Sequence, residues 1–175
     1  MEPPQYPAGP YQEEVGYGAS RLHEFIAQIV QAPGQLNRAV AGLSEAQLDT
    51  RYRNWTIRQI VHHIGDSHIN SYVRFKLALT EEQPTIKPYD EGRWAALSDS
   101  LVGSIEPTLA LFEGLHVRWA LVLGSMTPDK FARSFVHPAT GATVRRDGAL
   151  SYYAWYFRHH TGQILWVRKQ RSWDL

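Results

Sequence analysis

Residues 55–81 read WTIRQIVHHIGDSHINSYVRFKLALTE and form the clearest helical stretch of the sequence. Thr56 can cap the N-terminus of a helix, and Gln59 three positions later completes a capping box. Apolar residues recur at helical spacing through the stretch, and Pro84 lies just beyond its expected end. The pattern predicts an amphipathic helix from Thr56 to about Leu79, with one face turned to a protein core.

Three more long helices are predicted around this one. The first runs from Gln12 to about Val40, with a kink or break at Pro33 and the glycine after it. Another begins near Pro107, a residue suited to a first helical turn. The last follows Asp147, a candidate N-cap, and runs to about Arg171. Four long helices in one short chain are typical of a bundle, in which cofactor sites form between facing helices.

Shorter elements connect these helices. Ser44 and Gln47 predict a second capping box for a helix over 44–49, and short helices are expected around 92–97 and after Thr127. Between Phe131 and Arg146, two apolar segments flank HPATG at 137–141, which predicts a β-hairpin. The predicted fold is all-α, a four-helix bundle with a small hairpin before the last helix. It is expected to be a single domain over 1–175, with a proline-rich extended arm at 1–12.

Composition narrows the functional classes. The chain has 175 residues, 43% apolar and 20% charged, with a formal net charge of +1. Such balanced charge argues against a nucleic-acid-binding surface. The absence of cysteine excludes disulfides, cysteine-based zinc sites and thiol nucleophiles, so a metal would rely on the eight histidines and on other donors. No signal peptide or membrane-spanning run is recognised, and a cytoplasmic location is expected.

Two histidines of the helix after Thr56 are candidates for an inward-facing polar site. His68 falls within the apolar stripe, whereas His63 lies on its flank, in a row of polar residues that reaches Arg74. A polar row beside an apolar face is typical of a groove between packed helices. The spacing alone does not choose between the two histidines.

His160 is the most informative residue of the last helix. It stands at the centre of an otherwise apolar and aromatic stripe, and His159 points about 100° away, toward the edge of that stripe. Tyr156 precedes His160 by one turn on the same face, at the spacing used by two ligands on one helix. A buried histidine needs a hydrogen-bond partner or a metal. Both interpretations of His160, a bonded core residue and a metal ligand, stay open at this point.

Several segments together make the sequence similar to one known family. The longest is the stretch at 55–81. Shorter ones are YPAGPY at 6–11, IKPYDE at 86–91 with Trp94 after it, LHVRW at 115–119 and FVHP at 135–138. On these segments the chain resembles the YfiT-like branch of the DinB superfamily over nearly its whole length. Proteins of this branch are described as metal-dependent hydrolases or as bacillithiol-transferase-like proteins.

The resemblance implies a four-helix bundle, usually in a homodimer, with one zinc or nickel ion held by three histidines. The first ligand falls on His63. The other two lie on the last helix in the pattern Trp-His-x-x-His-His, which reads WYFRHH at 155–160 here. His160 therefore matches one ligand, and Tyr156 stands in the position of the other. Gln163 occupies a position where related proteins can carry a further histidine.

The tyrosine predicts a weakened or partial metal site. A neutral imidazole coordinates readily at pH 7, whereas a phenol, with a pKa of about 10, must first lose its proton. Tyr156 is thus either a third ligand or a hydroxyl lining the pocket, and His159 is the alternative third ligand. His68 is expected to be a hydrogen-bonded core residue rather than a ligand.

Two functions are compatible with this sequence. The first is a metal-dependent hydrolase or thiol S-transferase that acts on a small molecule, with a low-molecular-weight thiol as one candidate partner. The second is a non-catalytic stress-response or binding protein whose metal site has degenerated. The sequence identifies no catalytic residue beyond the candidate ligands, and neither a membrane nor a nucleic acid is expected as a partner.

Overall fold

Four long helices dominate the structure, a computed structural model that describes residues 2–173. Two two-stranded antiparallel sheets and four short helices connect them. In chain order the elements are α1 (Ala19–Val40), α2 (Glu45–Leu48), β1 (Arg51–Tyr52), β2 (Trp55–Thr56), α3 (Ile57–Thr80), α4 (Glu91–Trp94), α5 (Ser98–Val102), α6 (Glu106–Gly124), α7 (Pro128–Ala132), β3 (Ser134–His137), β4 (Ala142–Arg145) and α8 (Arg146–Gln170).

The long helices α1, α3, α6 and α8 form the bundle. Helix α1 packs against α6 and α8, and α3 packs against the same two, which places α1 and α3 at opposite corners. Apolar side chains from all four fill the interior, with Leu36, Ile60, Phe112 and Ile164 among the fully enclosed residues. The predicted fold, a four-helix bundle with a hairpin before the last helix, is confirmed.

Helix α3 begins where its capping box predicts. The Thr56 hydroxyl accepts a hydrogen bond from the Gln59 backbone N–H, and the Gln59 side chain accepts one from the Thr56 N–H. A reciprocal cap of this kind satisfies two otherwise orphaned N–H groups. The same device starts α2 at Ser44. The strands β1 and β2, too short to be predicted, form a tight hairpin that delivers Trp55 to the start of α3.

Two helix starts differ from the prediction, and the break expected at Pro33 is absent. Helix α1 starts at Ala19 rather than Gln12, and it passes through Pro33 without a break. Pro33 is buried, so packing of this side of α1 outweighs the hydrogen bond that a proline cannot donate. Asp147 is not the N-cap of α8, because the helix already begins at Arg146. Its carboxylate instead accepts hydrogen bonds from the backbone N–H groups of Gly148 and Gly16.

The remaining elements agree in part. The hairpin pairs Phe135 with Val144 and His137 with Ala142, within the predicted segment. The helix expected around 92–97 is shorter and earlier, and α5 was not anticipated. Within residues 2–173, no helix combines the length and the apolar character needed to cross a membrane.

Asp66 of α3 provides a test of how burial affects stability. Burial, reinforced by the nearby Asp99 carboxylate, raises the pKa of Asp66 from 3.8 to about 6. The folded state therefore favours the protonated form, and stability is lost as pH rises from about 4 through 6. We expect Asp66→Asn to raise the free energy of unfolding at pH 7.5 by about 1–2 kcal/mol, below the full shift because the group is partly exposed.

The measurement is urea denaturation at pH 4 and at pH 7.5. The gain from Asp66→Asn should nearly disappear at pH 4, where the wild-type carboxyl is protonated. Glu113→Gln removes the same charge from an exposed position on α6 and is expected to show no such pH dependence. An equal gain at both pH values would contradict the burial argument.

Candidate functional site

Three predicted site residues, His63 of α3 with Tyr156 and His160 of α8, come together inside the bundle; they are called the histidine–tyrosine cluster. The His63 and His160 ring centroids lie 4.7 Å apart, and those of Tyr156 and His160 lie 4.5 Å apart. Tyr156 and His160 are one turn apart on α8, and α3 packs against that face. All three side chains are buried.

A hydrogen bond joins the two helices within this cluster. The Tyr156 hydroxyl lies 2.5 Å from His63 Nε2. Burial raises the pKa of the Tyr156 phenol and lowers the pKa of the His63 imidazole to about 4, so both groups are neutral near pH 7. The phenol therefore donates and His63 Nε2 accepts. The lone pair that His63 would offer to a metal through Nε2 is engaged by Tyr156.

Gln163 is hydrogen-bonded to both histidines of α8, His159 and His160. Its Oε1 lies 2.9 Å from His160 Nδ1 and must accept, which places a proton on Nδ1 and leaves the His160 Nε2 lone pair free. Its Nε2 donates to His159 Nε2 at 3.1 Å. Burial lowers the pKa of His160 well below its ordinary value, which keeps this imidazole neutral. Gln163 thus holds His160 in the Nδ1–H tautomer, in which Nε2 is available to a metal.

His159 lies at the edge of the cluster, with its ring centroid 4.9 Å from that of His160. Its ring stacks on Trp155 at 5.0 Å between centroids, and Tyr6 of the N-terminal segment approaches it at 5.8 Å. Trp55, by contrast, covers the cluster, with its ring 4.5 Å from that of His63. The structure thus brings Tyr156, rather than His159, into direct contact with His63.

The donor set fits a divalent metal only in part. Two neutral imidazoles are suitable ligands for zinc or nickel. The third candidate, the Tyr156 phenol, carries a raised pKa and must lose a proton to coordinate. Within residues 2–173, no group of three or more histidine, cysteine, aspartate or glutamate side chains is placed to hold a metal. Any ion in this cluster would depend on His63 and His160.

His68 lies in the core and is paired with His116 of α6 rather than with a residue of the cluster. Its Nδ1 is 3.1 Å from His116 Nε2, and His116 Nδ1 is 2.7 Å from the Phe112 carbonyl oxygen. The carbonyl can only accept, so both imidazoles carry their proton on Nδ1, and His68 donates to His116. His116 is not among the site residues predicted from the sequence, although Phe112, His116 and Trp119 share one buried face of α6 at helical spacing.

A cavity of about 450 Å³ adjoins the cluster. It extends between the N-terminal segment, α3, the segment before α4, the β3–β4 hairpin and α8. Tyr156 belongs to both the cavity wall and the cluster. Its polar lining includes Ser67, Arg74, Tyr89, Glu91 and Tyr153. A molecule bound in this cavity would contact Tyr156. Arg74 lies on the polar row of α3 that the helical spacing predicts, whereas no sequence pattern indicates the cavity.

Comparison with known proteins identifies close relatives. Residues 28–164 match the DinB superfamily. A protein of Bacillus subtilis (strain 168), YfiT, named as a candidate metal-dependent hydrolase, is 41% identical over 171 residues, which cover 97% of this chain and 96% of the relative. A protein of Bacillus cereus (strain 03BB102) with the same description of activity is 43% identical over 171 residues, covering 97% and 98%.

Solved structures give the same result. The structure of YfiT from Bacillus subtilis, described as a probable metal-dependent hydrolase with an unusual four-helix bundle topology, has a TM-score of 0.93 at 40% identity. It covers 97% of this chain and 98% of that one. A mycothiol-dependent maleylpyruvate isomerase matches with a TM-score of 0.64 at 18% identity, over 80% of this chain and 59% of that one. The second likeness concerns the fold alone.

Proposed function

The chain belongs to the DinB superfamily, and on that premise we propose that it is a metal-dependent hydrolase whose ion is held by His63 and His160. The observation that carries the proposal is the meeting of two neutral imidazoles from α3 and α8 beside a cavity. Zinc and nickel are the proposed ions, since both accept imidazole nitrogen. The names of the close relatives favour hydrolysis over thiol transfer, which uses the same kind of site.

The roles of the protein's own groups follow from the hydrogen bonds. Gln163 holds His160 with its Nε2 lone pair free, and Trp55 shields His63 from water. A divalent ion bound there would act as a Lewis acid on a substrate oxygen and lower the pKa of a nucleophile. Tyr156, neutral and at the cavity wall, can turn its O–H from His63 to a substrate oxygen and donate a hydrogen bond to it.

A second candidate function rests on the hydrogen bond between Tyr156 and His63. Because this bond occupies His63 Nε2, a metal must displace it, and the site then binds the ion weakly. On this alternative the chain is a non-catalytic small-molecule binder that retains the family bundle and cavity.

Metal content distinguishes the two. We expect wild-type protein, purified with zinc or nickel supplementation, to carry about one divalent ion per chain, because two neutral imidazoles converge in a buried site. His63→Ala and His160→Ala should each lower metal affinity by about 100-fold or more, since loss of even an outer-shell partner costs 10–100-fold. Elemental analysis and hydrolysis of p-nitrophenyl acetate with and without chelator are the measurements.

His23→Ala is the matched control, because His23 is exposed on α1 away from the cluster. It should keep wild-type metal content and activity. Wild-type protein that carries no ion after supplementation would contradict the hydrolase proposal and support the binder. Metal bound equally by wild type and His160→Ala would place the site elsewhere.

A further inference from the structure

The cavity beside the histidine–tyrosine cluster contains a guanidinium that the protein itself leaves largely unpaired. Arg74 Nη1 donates to the Tyr153 hydroxyl at 3.3 Å, and this is its sole hydrogen bond within residues 2–173. Its Nε is buried without a partner, and no carboxylate of the described chain forms an ion pair with it. Arginine carries five N–H donors, and a half-buried guanidinium with one weak acceptor is costly.

Two further residues of the cavity wall each carry a buried polar atom without a partner. The Tyr89 hydroxyl and His137 Nδ1 are both buried and bonded to no described protein atom. A tyrosine hydroxyl is a donor or an acceptor, and burial raises the pKa of Tyr89, so it keeps its proton. Unpaired buried polar groups that line one cavity indicate a ligand with complementary polar atoms.

The rest of the wall is apolar or aromatic. Tyr152 and Tyr156 of α8 contribute aromatic rings, and Phe135, Val144 and Ala149 contribute apolar surface. Such surface suits the carbon skeleton of a small molecule, since pockets of this kind combine apolar walls with a few fixed polar groups. A guanidinium at the edge of an apolar pocket is well suited to a planar carboxylate, which it can bind through two parallel hydrogen bonds.

We propose that this cavity binds a small organic acid, with the Arg74 guanidinium holding its carboxylate and the aromatic wall holding its carbon skeleton. The acid would be a substrate or product of the hydrolase proposed above. That assignment rests on the proposed function, whereas binding of the acid does not require the metal. Hydrolysis of an ester or amide releases a carboxylic acid, which agrees with a carboxylate-binding residue beside the cluster.

Two acidic residues of the cavity would favour an amine over a carboxylate. Glu13 and Glu91 also line it, and both would attract an amine and oppose a carboxylate. Although Glu91 is exposed as a whole residue at the start of α4, burial of its carboxyl raises its pKa, and the Arg74 guanidinium acts against that shift. Arg74 keeps unpaired N–H donors, its enclosed Nε among them, and an amine would leave them without an acceptor, so the guanidinium should dominate recognition.

Isothermal titration calorimetry on chelator-treated protein tests the proposal with three probes of similar shape that differ in charge. We expect phenylacetate to bind at least about tenfold more tightly than phenylacetamide or 2-phenylethylamine, the scale of a charge-assisted hydrogen bond. Arg74→Gln should weaken phenylacetate binding about tenfold or more and leave phenylacetamide unchanged. Arg118→Gln, which removes the same charge from an exposed position on α6, should match wild type.

A second variant separates recognition from folding. Arg74→Lys keeps the charge but not the two-pronged geometry, so it should bind phenylacetate more weakly than wild type while its melting temperature stays close. Equal binding of acid and amide, tighter binding of the amine, or full phenylacetate affinity in Arg74→Gln would overturn the proposal. Acid binding by a protein that takes up no metal would refute the proposed hydrolase alone, and metal uptake without acid binding would refute the acid site alone.

Discussion

Tyr156→His should raise the affinity for zinc or nickel by about tenfold or more, the scale on which ligand-supporting groups affect metal sites. The replacement removes the hydroxyl that donates to His63 Nε2 and adds an imidazole one turn before His160. A three-histidine set with an open position is the arrangement of catalytic zinc sites. Competitive titration of wild type and variant against a chromophoric chelator measures the change.

The control for this prediction is Tyr152→His. Tyr152 lies one turn before Tyr156 on α8, and its ring contacts other aromatic rings but neither His63 nor His160. A histidine there should leave metal affinity at the wild-type value. Unchanged affinity in Tyr156→His would mean that the tyrosine already serves as a full ligand, or that the third ligand lies elsewhere, with His159 the first residue to test.

His68→Ala should lower the free energy of unfolding by about 2–4 kcal/mol, through the cavity it creates and the hydrogen bond it removes. His68 is 0% exposed and packs against the rings of Phe112 and Trp119. Its loss leaves His116 Nε2 buried without a donor. Metal content should stay at the wild-type level, because the hydrogen bond of His68 is to His116 and not to a residue of the histidine–tyrosine cluster.

A double-mutant cycle isolates the histidine pair. His116→Ala and the double variant complete the cycle with His68→Ala. The double variant should be more stable than the sum of the two single losses predicts, because the hydrogen bond between His68 and His116 is lost only once. Urea denaturation and elemental analysis are run on each protein. Loss of metal in His68→Ala with an unchanged unfolding free energy would show that His68 is a ligand.

The packing of α3 against α8 explains why the sequence indicated the position of Tyr156 but not its hydrogen-bond partner. Its position one turn before His160 is fixed by helical periodicity. Its hydrogen bond to His63 joins residues 93 positions apart and depends on how α3 and α8 are rotated against each other. The sequence therefore indicated that a tyrosine replaces one of three expected histidines. The structure shows that the hydroxyl of this tyrosine is hydrogen-bonded to His63 Nε2, the nitrogen that would bind a metal.

The pairing of His68 illustrates the same limit. A histidine within an apolar stripe must find a partner, which was predictable from burial alone. The identity of that partner was not, since His116 lies on another helix, 48 positions away. The cavity around Arg74 also required the tertiary structure, because its walls come from five separate segments of the chain.

The sequence by itself determined the features that arise within a few residues. These are the capping boxes that start α2 and α3, the four helical periods and the face of α8 that carries Tyr156 and His160. Each depends on hydrogen bonds or spacings inside one helical turn or one stripe. Tertiary structure decided the continuity of α1 through Pro33, the partners of His63 and His68, and the cavity. These depend on packing between helices, whose energy outweighs local preference and is not encoded in any single segment.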